Sequence, residues 1–369
     1  MSLAGDYARE LKQDAAAGWN RFWFSPADPA TLGLIRILAG AMLLYTHLIW
    51  GLDLESFFGP RAWLSHRAVR SYEQSLAGPA EAAAPEEGQP SEELSAEPPS
   101  GYTSFAWSVF DFVDSRAVLW SVHIAALVTF ALLMVGYRTR TVSILAFILL
   151  VSYVNRTPAA LFGLDQINGM LAMYLMVGPS GAAWSVDRWL AERKAGRPLL
   201  VEPRVGANLA IRLIQLHMCV IYFFAAMGKL EGATWRDGSA IWFSFANLEY
   251  QSLDMTWMCR WPLSVNFMTH LTVYWELFFC VLIWPRLTRP LVLLLAVPLH
   301  LGIALCMGMM TFGLIMLVGC LAFVSPALVR IMVRRLSGLT HRNPAATLAP
   351  SPAAGKSRKP SGPRTAVSA

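Results

Sequence analysis

The stretch ATLGLIRILAGAMLLYTHLIW, residues 30–50, is an apolar run interrupted by one charged residue, Arg36, and one histidine, His47. About 20 apolar residues at a rise of about 1.5 Å each carry a helix across the hydrocarbon core of a bilayer. The whole chain of 369 residues is 55% hydrophobic and only 15% charged, with a mean hydropathy of +0.45. A soluble domain is about 25% charged. The sequence therefore predicts an integral membrane protein.

Working outward from this run, seven further apolar runs complete a predicted bundle. The predicted spans are residues 30–50, 117–136, 141–155, 160–178, 208–228, 266–284, 290–306 and 308–325. Residues 233–262 are broken by tryptophan, glycine and charge, which is typical of a re-entrant or interfacial segment. The predicted fold is an all-α polytopic membrane protein, a bundle of about eight transmembrane helices with that segment after the fifth.

Basic residues predict the orientation of the bundle, because Lys and Arg concentrate in the cytoplasmic loops of membrane proteins. With a cytoplasmic N-terminus, the basic residues fall mainly in the loops of one side: Arg138, Arg140, Arg188, Arg193, Lys194, Arg197, Arg204, Arg286 and Arg289. Both termini are then predicted to be cytoplasmic, in agreement with an even number of spans. The net charge of +6 is explained by membrane topology, so nucleic-acid binding is not predicted.

Composition divides the chain into three parts. We predict an amphipathic or interfacial N-terminal segment at 1–28, a transmembrane domain at 29–325, and a basic Pro/Ala-rich cytoplasmic tail at 326–369. Residues 73–100, in the first outer loop, are acidic and rich in Ala, Pro and Ser, which is typical of disordered segments. Four of the five cysteines lie in apolar spans and no C-x-x-C occurs, so neither a metal site nor a disulfide framework is predicted.

The fifth span carries a polar stripe. At 100° per residue, four side chains lie within about a third of a turn of one another: Arg212, Gln215, Tyr222 and Lys229. Lys229 has two interpretations. Its ammonium either snorkels to the lipid headgroups or lies partly desolvated inside the bundle, where a lysine can act as a base. Glu231 and Asp237, in GKLEGATWRDG, are placed to position or compensate it.

Other ionisable residues in the spans are further candidates, because such groups are costly inside a bilayer. His300, two residues after Pro298, is either a neutral histidine bonded to a backbone carbonyl or a site residue. Asp165 is predicted on the outer side, as is Lys229. Glu276 is expected to pair internally, and Arg36 to snorkel to the inner face.

The sequence resembles the bacterial HTTM (horizontally transferred transmembrane domain) family, the membrane-domain relatives of vitamin K-dependent γ-carboxylase. The blocks that carry the resemblance span roughly residues 20 to 325: LGLIRILAGAMLL with FFGPRAWLS, NRTPAALFGLDQINGM with VGPSGAAWSVDRWL, LIQLHMCVIYFFAAMGKLEGATWRDGSAIW, and LHLGIALCMGMMTFGLIMLVGCLAFVSP. The resemblance implies a bacterial cytoplasmic (inner) membrane location.

In the carboxylases, a lysine in a Tyr-Phe…Lys-Leu-Asp context deprotonates reduced vitamin K, and the hydroquinone anion reacts with oxygen. The resulting strong base removes a proton from a glutamate, which adds carbon dioxide. The resemblance implies the role of that base for Lys229 in YFFAAMGKLEG, with Glu231 one place away from the family's acid. His300 matches a histidine of the family's H…FG block.

The chain also departs from the carboxylase pattern. Pro158, in NRTPAALFGL, stands where the carboxylases have the histidine of an Asn-Asn-His-Ser segment, and Gly228 replaces a second lysine. The carboxylases continue into a large extramembrane domain that binds the protein substrate, and we expect none after residue 325. Carboxylation of a protein substrate is therefore not expected.

Two functions remain open. One is a membrane enzyme that oxidises or epoxidises a vitamin K-type hydroquinone, or has related carboxylase-like chemistry. Its catalytic residues would be Lys229 as the base, His300, Tyr222 and Asp165. Its cofactor would be the reduced quinone, with three cofactor contacts: Arg212, Gln215 and Glu231. The other is a non-enzymatic membrane protein on the same scaffold, acting in lipid or quinone binding, transport or assembly. The predicted partners are the lipid bilayer and a quinone ligand, and the sequence names no protein partner.

Overall fold

The computed structural model describes residues 3–63 and 107–336. The first helices are α1 (Leu3–Phe24), α2 (Ala30–Trp50), α3 (Leu54–Phe58), α4 (Arg116–Val135), α5 (Thr139–Arg156), α6 (Gly163–Val177) and α7 (Val186–Ala195). The remaining helices are α8 (Val205–Glu231), α9 (Ala233–Asp237), α10 (Ala240–Ala246), α11 (Pro262–Leu282), α12 (Arg289–Cys306), α13 (Met310–Cys320) and α14 (Pro326–Leu336). The predicted acidic loop at 73–100 and the tail beyond residue 336 lie outside the described residues.

Each predicted span coincides with a helix, but the helices differ in their capacity to cross a bilayer. Among the described residues, five segments are long and apolar enough: Ala30–Phe58, Arg116–Val135, Val205–Glu231, Pro262–Leu282 and Arg289–Cys306. Helices α6 and α13 have 15 and 11 residues, or about 22 Å and about 16 Å of helix, against a hydrocarbon core of about 30 Å. The all-helical membrane fold is confirmed, and five of the eight predicted spans meet the length and composition of a membrane-crossing helix.

Two apolar cores meet at α2, which contributes Leu32 and Ile35 to one and Leu43 to the other. The first core joins α2 to α6, α8, α11, α12 and α13, and the second joins α2 to α3, α4 and α5. Gly40 permits the close contact of α2 with α4, because a Cβ at this position would lie 2.7 Å from the Met134 Cα. The candidate site lies in the first core.

Arg36 on α2 is fully buried rather than extended to the inner face. Its guanidinium donates hydrogen bonds to the carbonyl oxygens of Ser180 (3.2 Å) and Trp184 (2.6 Å). Gly136 leaves room for it, since a Cβ there would lie 2.1 Å from Arg36 Nη1, and its φ of +73° favours glycine. The expectation that Arg36 snorkels is therefore wrong, because the loop carbonyls satisfy the charge inside the protein.

Helices α8 and α11 run antiparallel, and their pairing positions the candidate site. Arg212 on α8 lies near Trp284, just beyond the end of α11, while Tyr222 contacts Phe279 and Lys229 contacts Glu276. Residue numbers rise along α8 as they fall along α11, as expected for antiparallel neighbours.

The segment predicted to be re-entrant or interfacial contains α9, α10 and a 3-10 helix at Thr256–Arg260. It packs beside the first half of α11, where Asn266 Nδ2 donates to the Asp237 carbonyl (3.0 Å) and the Ile241 N–H donates to Thr269 Oγ1 (3.2 Å). Because the chain reverses after Asp237, these short helices cover the end of α8.

Candidate functional site

The centre of the candidate site is an ion pair between α8 and α11. Lys229 Nζ lies 2.8 Å from Glu276 Oε2 and 3.0 Å from Oε1, and the two side chains are 24% and 13% exposed. Side chains on a helix lean toward its N-terminus, so Lys229 leans back along α8 into the bundle. The ammonium therefore contacts an acid on a neighbouring helix.

The position of Glu276 along α11 sets the depth of this pair. Glu276 lies 14 residues after Pro262 and six before Leu282, which corresponds to about 21 Å and about 9 Å of helix. Because α11 is long and apolar enough to span a membrane, the pair lies within the length of a span. Charges in such a place are tolerated when they pair.

An aromatic side chain covers the ion pair. Lys229 Nζ lies 5.2 Å from the ring centroid of Trp235 on α9, a distance at which a cation is attracted to the face of an indole. Trp235 comes from the segment that folds back beside α11, so this segment supplies one wall of the site.

A second polar pair lies deeper in the same core. The Tyr222 hydroxyl is 3.1 Å from His300 Nε2 and 3.4 Å from Cys320 Sγ, and all three residues are buried. His300 Nδ1 lies 2.8 Å from the Ala296 carbonyl oxygen. Since a carbonyl only accepts, we assign the proton of a neutral imidazole to Nδ1, and Tyr222 then donates to Nε2. His300 is thus held by the carbonyl and by the tyrosine together.

Aromatic side chains of α11 connect the two pairs. Trp275 precedes Glu276 in the chain, and its ring centroid lies 4.9 Å from that of Tyr222 and 5.9 Å from that of His300. Phe279, one turn later, lies 4.3 Å from Tyr222. Tyr222 and Lys229 are seven residues apart on one face of α8, or about 10 Å along the helix. The site is therefore a polar pair above an aromatic wall, with Tyr222–His300 beneath it.

Other predicted site residues lie elsewhere. Gln215 Nε2 donates to the Ala322 carbonyl (2.7 Å) and Arg212 donates to Gln215 Oε1 (2.9 Å). The Arg212 guanidinium also stacks 4.4 Å from the Phe22 ring centroid. Gln215 and Arg212 belong to the other end of the stripe, about 21 Å and about 26 Å along α8 from Lys229. Their described contacts connect α8 to its neighbours.

The three other predicted acids have no described contact with Lys229. Asp165 is buried at the start of α6, where Oδ2 accepts from the Phe162 N–H (2.9 Å). Glu231 is exposed at the end of α8. Asp237 accepts from the Ser239 hydroxyl (2.6 Å) and N–H (2.9 Å), and the hydroxyl bond is the main reason that its pKa is lowered. The acid that pairs with Lys229 is Glu276 instead.

The sequence analysis placed Glu276 in a span and expected it to pair, but it did not identify Lys229 as the partner. The available signal was that Lys229 and Glu276 are both charged residues in apolar helices, where charged side chains usually pair with one another. Trp235, Trp275, Phe279 and Cys320 were not identified as neighbours, and no motif in the sequence marks them.

The comparisons with known proteins bear on the family. A family model described as HTTM domain matches residues 93–327, which is well over half of the chain. The chain belongs to the HTTM family. The match contains α4 to α13 and so every residue of the candidate site, whereas the N-terminal blocks of the resemblance, in α2 and α3, precede it. Neither the curated proteins nor the solved structures contain a match to the chain.

HTTM membership and the five apolar helices make the chain an integral membrane protein of this family. The resemblance predicted from the sequence blocks is confirmed at the level of the family. The match itself names no substrate, so the chemistry has to be argued from the residues around Lys229.

Proposed function

We propose that this HTTM protein is a membrane enzyme that oxidises a hydroquinone of the vitamin K type, with Lys229 as the base. The observation that carries the proposal is the Lys229–Glu276 pair, 2.8 Å apart within the length of a span and next to a wall of aromatic side chains. A snorkelling lysine has no need of an acid partner on another helix. A lysine that exchanges protons inside a bundle does, because the partner stores the proton.

The residues around the pair suit a planar ring with a hydroxyl group. Trp235 supplies an aromatic face at the ammonium, with its ring centroid 5.2 Å from Lys229 Nζ. The 24% exposure of Lys229 leaves part of the ammonium accessible. Apolar walls with few polar groups are the usual composition of a small-molecule site.

A bound hydroquinone would supply an acidic ring hydroxyl and two electrons. Molecular oxygen, the oxidant that the family resemblance implies, would take up the two electrons and two protons and leave as hydrogen peroxide while the hydroquinone becomes the quinone. Lys229 begins as an ammonium paired with the Glu276 carboxylate. It passes one proton to Glu276, and the free amine then takes the hydroxyl proton. Lys229 ends as an ammonium beside the new negative charge, and Glu276 ends neutral. The pair thus gains one proton without placing an uncompensated charge in the bundle.

The Tyr222–His300 pair is assigned a positioning role in this proposal. Tyr222 holds the rings of Trp275 and Phe279 at 4.9 Å and 4.3 Å, and the His300 imidazole fixes the Tyr222 hydroxyl. About two helical turns separate Tyr222 from Lys229, so these side chains orient the wall that carries Glu276. Asp165 keeps its predicted catalytic role in this proposal.

The test is oxygen uptake by the purified protein in lipid nanodiscs supplied with reduced naphthoquinone. We expect uptake that depends on both the protein and the reduced form of the quinone, and none with the oxidised form. Uptake equal to that of empty nanodiscs would contradict the proposal. Quinone retention without uptake would instead favour the non-enzymatic alternative, a quinone- or lipid-binding, transport or assembly protein on the same scaffold.

We also propose that all eight helices at the predicted spans cross the bacterial cytoplasmic membrane, with both termini in the cytoplasm and residues 233–262 re-entrant or interfacial. Helices α5 and α6 would then form a pair of crossings that the five long spans alone do not include.

Labelling with a membrane-impermeant thiol reagent tests this topology in a background without native cysteines. We expect Arg61→Cys and Ala160→Cys to react from the outer side and Lys194→Cys from the inner side. If only the five long helices cross, Ala160→Cys reacts from the same side as Lys194→Cys.

A further inference from the structure

A cavity of about 880 Å³ lies at the end of the bundle opposite α9 and α10. It is bounded by the loop after α6, by α7 and by the start of α8, and its lining includes four arginines: Arg140, Arg188, Arg197 and Arg204. None of these residues belongs to the Lys229 site. The cavity therefore calls for an explanation of its own.

Two of the arginines hold the cavity wall. Arg188 pairs with Glu192 at 2.8 Å and also donates to the carbonyls of Ala182 and Leu199. Arg140 Nη1 donates to the Met176 carbonyl at the end of α6 (2.5 Å). These contacts connect α5, α6 and α7 and give the wall a defined shape.

The acids of the lining compensate the charge only in part. Asp187 accepts from the N–H groups of Arg138 (2.7 Å) and Thr139 (2.8 Å) and from the Thr139 hydroxyl (2.7 Å). Its carboxylate is therefore directed to the start of α5. Glu202 is exposed and is the other acid of the lining.

Arg197 and Arg204 are exposed, and neither guanidinium has an acceptor among the described residues. The backbone of Arg204 is fixed by two hydrogen bonds with Ala27, at 2.9 Å and 3.1 Å, so its side chain starts from a defined point. Gly206, in the first turn of α8, also lines the cavity. The Ala207 and Asn208 N–H groups donate to the Arg204 carbonyl (3.1 Å and 3.4 Å), which leaves the Gly206 N–H as a first-turn donor without an acceptor among the described residues. Guanidinium groups and such N–H groups both favour phosphate oxygens.

Apolar side chains lie beside this positive charge. Leu200 lines the cavity and is 92% exposed, and the lining residue Val177 is also exposed. A soluble phosphate compound has little apolar surface to contact these side chains, whereas a lipid has acyl chains next to its phosphate headgroup. We propose that the cavity binds the phosphate of an anionic lipid headgroup, with Arg197 and Arg204 as its principal contacts.

The test compares phosphatidylglycerol with phosphatidylcholine of the same chain length, bound to the full-length protein in detergent and counted by native mass spectrometry. The variant is Arg197→Gln/Arg204→Gln. Its matched control is Arg193→Gln/Lys194→Gln, which removes the same charge from the adjoining last turn of α7, outside the lining. Each basic residue near an anionic lipid changes binding by roughly fivefold, so the variant should weaken phosphatidylglycerol binding by roughly twenty-five-fold. The control should bind as the unmodified protein does.

A parallel measurement with glycerol phosphate separates the two sources of the phosphate group. Preference for phosphatidylglycerol, lost only in the Arg197/Arg204 variant, supports the lipid site. Binding of glycerol phosphate with the same variant dependence, without preference between the lipids, supports the phosphate site and assigns a soluble ligand. If both double variants lost phosphatidylglycerol binding equally, general surface charge would explain the effect and the proposal would be overturned. Unchanged phosphatidylglycerol binding in the Arg197/Arg204 variant would also overturn it. Both substituted arginines are exposed and unpaired, so unchanged thermal unfolding is expected and excludes misfolding.

Discussion

Lys229→Arg is expected to reduce hydroquinone-dependent oxygen uptake by about 10²- to 10⁴-fold, the usual contribution of a general base. The reason is that arginine keeps a positive charge opposite Glu276 but is not deprotonated in proteins. The substitution therefore retains the ion pair between α8 and α11 and removes only the capacity to take a proton.

The measurement is oxygen uptake in nanodiscs, with thermal unfolding in detergent recorded on the same preparation. Lys194→Arg is the matched control, because it makes the same chemical change at an exposed position on α7. Control uptake should equal that of the unmodified protein. Turnover retained in Lys229→Arg would show that Lys229 is not the base. Lys229→Ala is less informative, because it would leave Glu276 unpaired and would combine loss of the base with loss of the ion pair.

The sequence predicted the helix positions well because each depends on a local apolar run. The number of crossings is not decided by the same signal, since α13 is an apolar helix of only 11 residues and apolar composition alone does not separate a full span from a shorter buried helix. The spacing of Arg212, Gln215, Tyr222 and Lys229 gave the shared face of α8. It could not give the neighbours of that face, which depend on packing between distant segments.

Arg36 and Glu276 illustrate the same difficulty. The position of Arg36, about two turns into a span, predicts a snorkelling side chain. Its acceptors are instead carbonyls 144 and 148 residues later in the chain. Glu276 is 47 residues from Lys229, while Glu231 is only two away and seemed the natural partner. Because α8 and α11 are antiparallel and the lysine leans back along its helix, the distant acid is the one in reach.

Glu276→Leu is expected to lower the free energy of unfolding by about 3 kcal/mol, the lower end of the range for removing one partner of a buried ion pair. The lower end applies because Lys229 is 24% exposed and keeps partial access to solvent or headgroups. The loss arises from an ammonium left without its acid beside Trp235. Thermal unfolding in detergent measures it, with a thiol-reactive dye reporting exposure of the buried Cys219 and Cys320.

The double variant Lys229→Met/Glu276→Leu separates the cost of an unpaired charge from the cost of lost packing. Replacing both members of a buried pair by apolar side chains of similar volume is often neutral or stabilising, so the double variant should recover most of the stability lost in Glu276→Leu. It should still lack hydroquinone-dependent uptake, because neither proton-transferring group remains. A Glu276→Leu variant as stable as the unmodified protein would mean that the ammonium reaches the headgroups unaided. The lysine would then be an anchor rather than half of a proton-transferring pair.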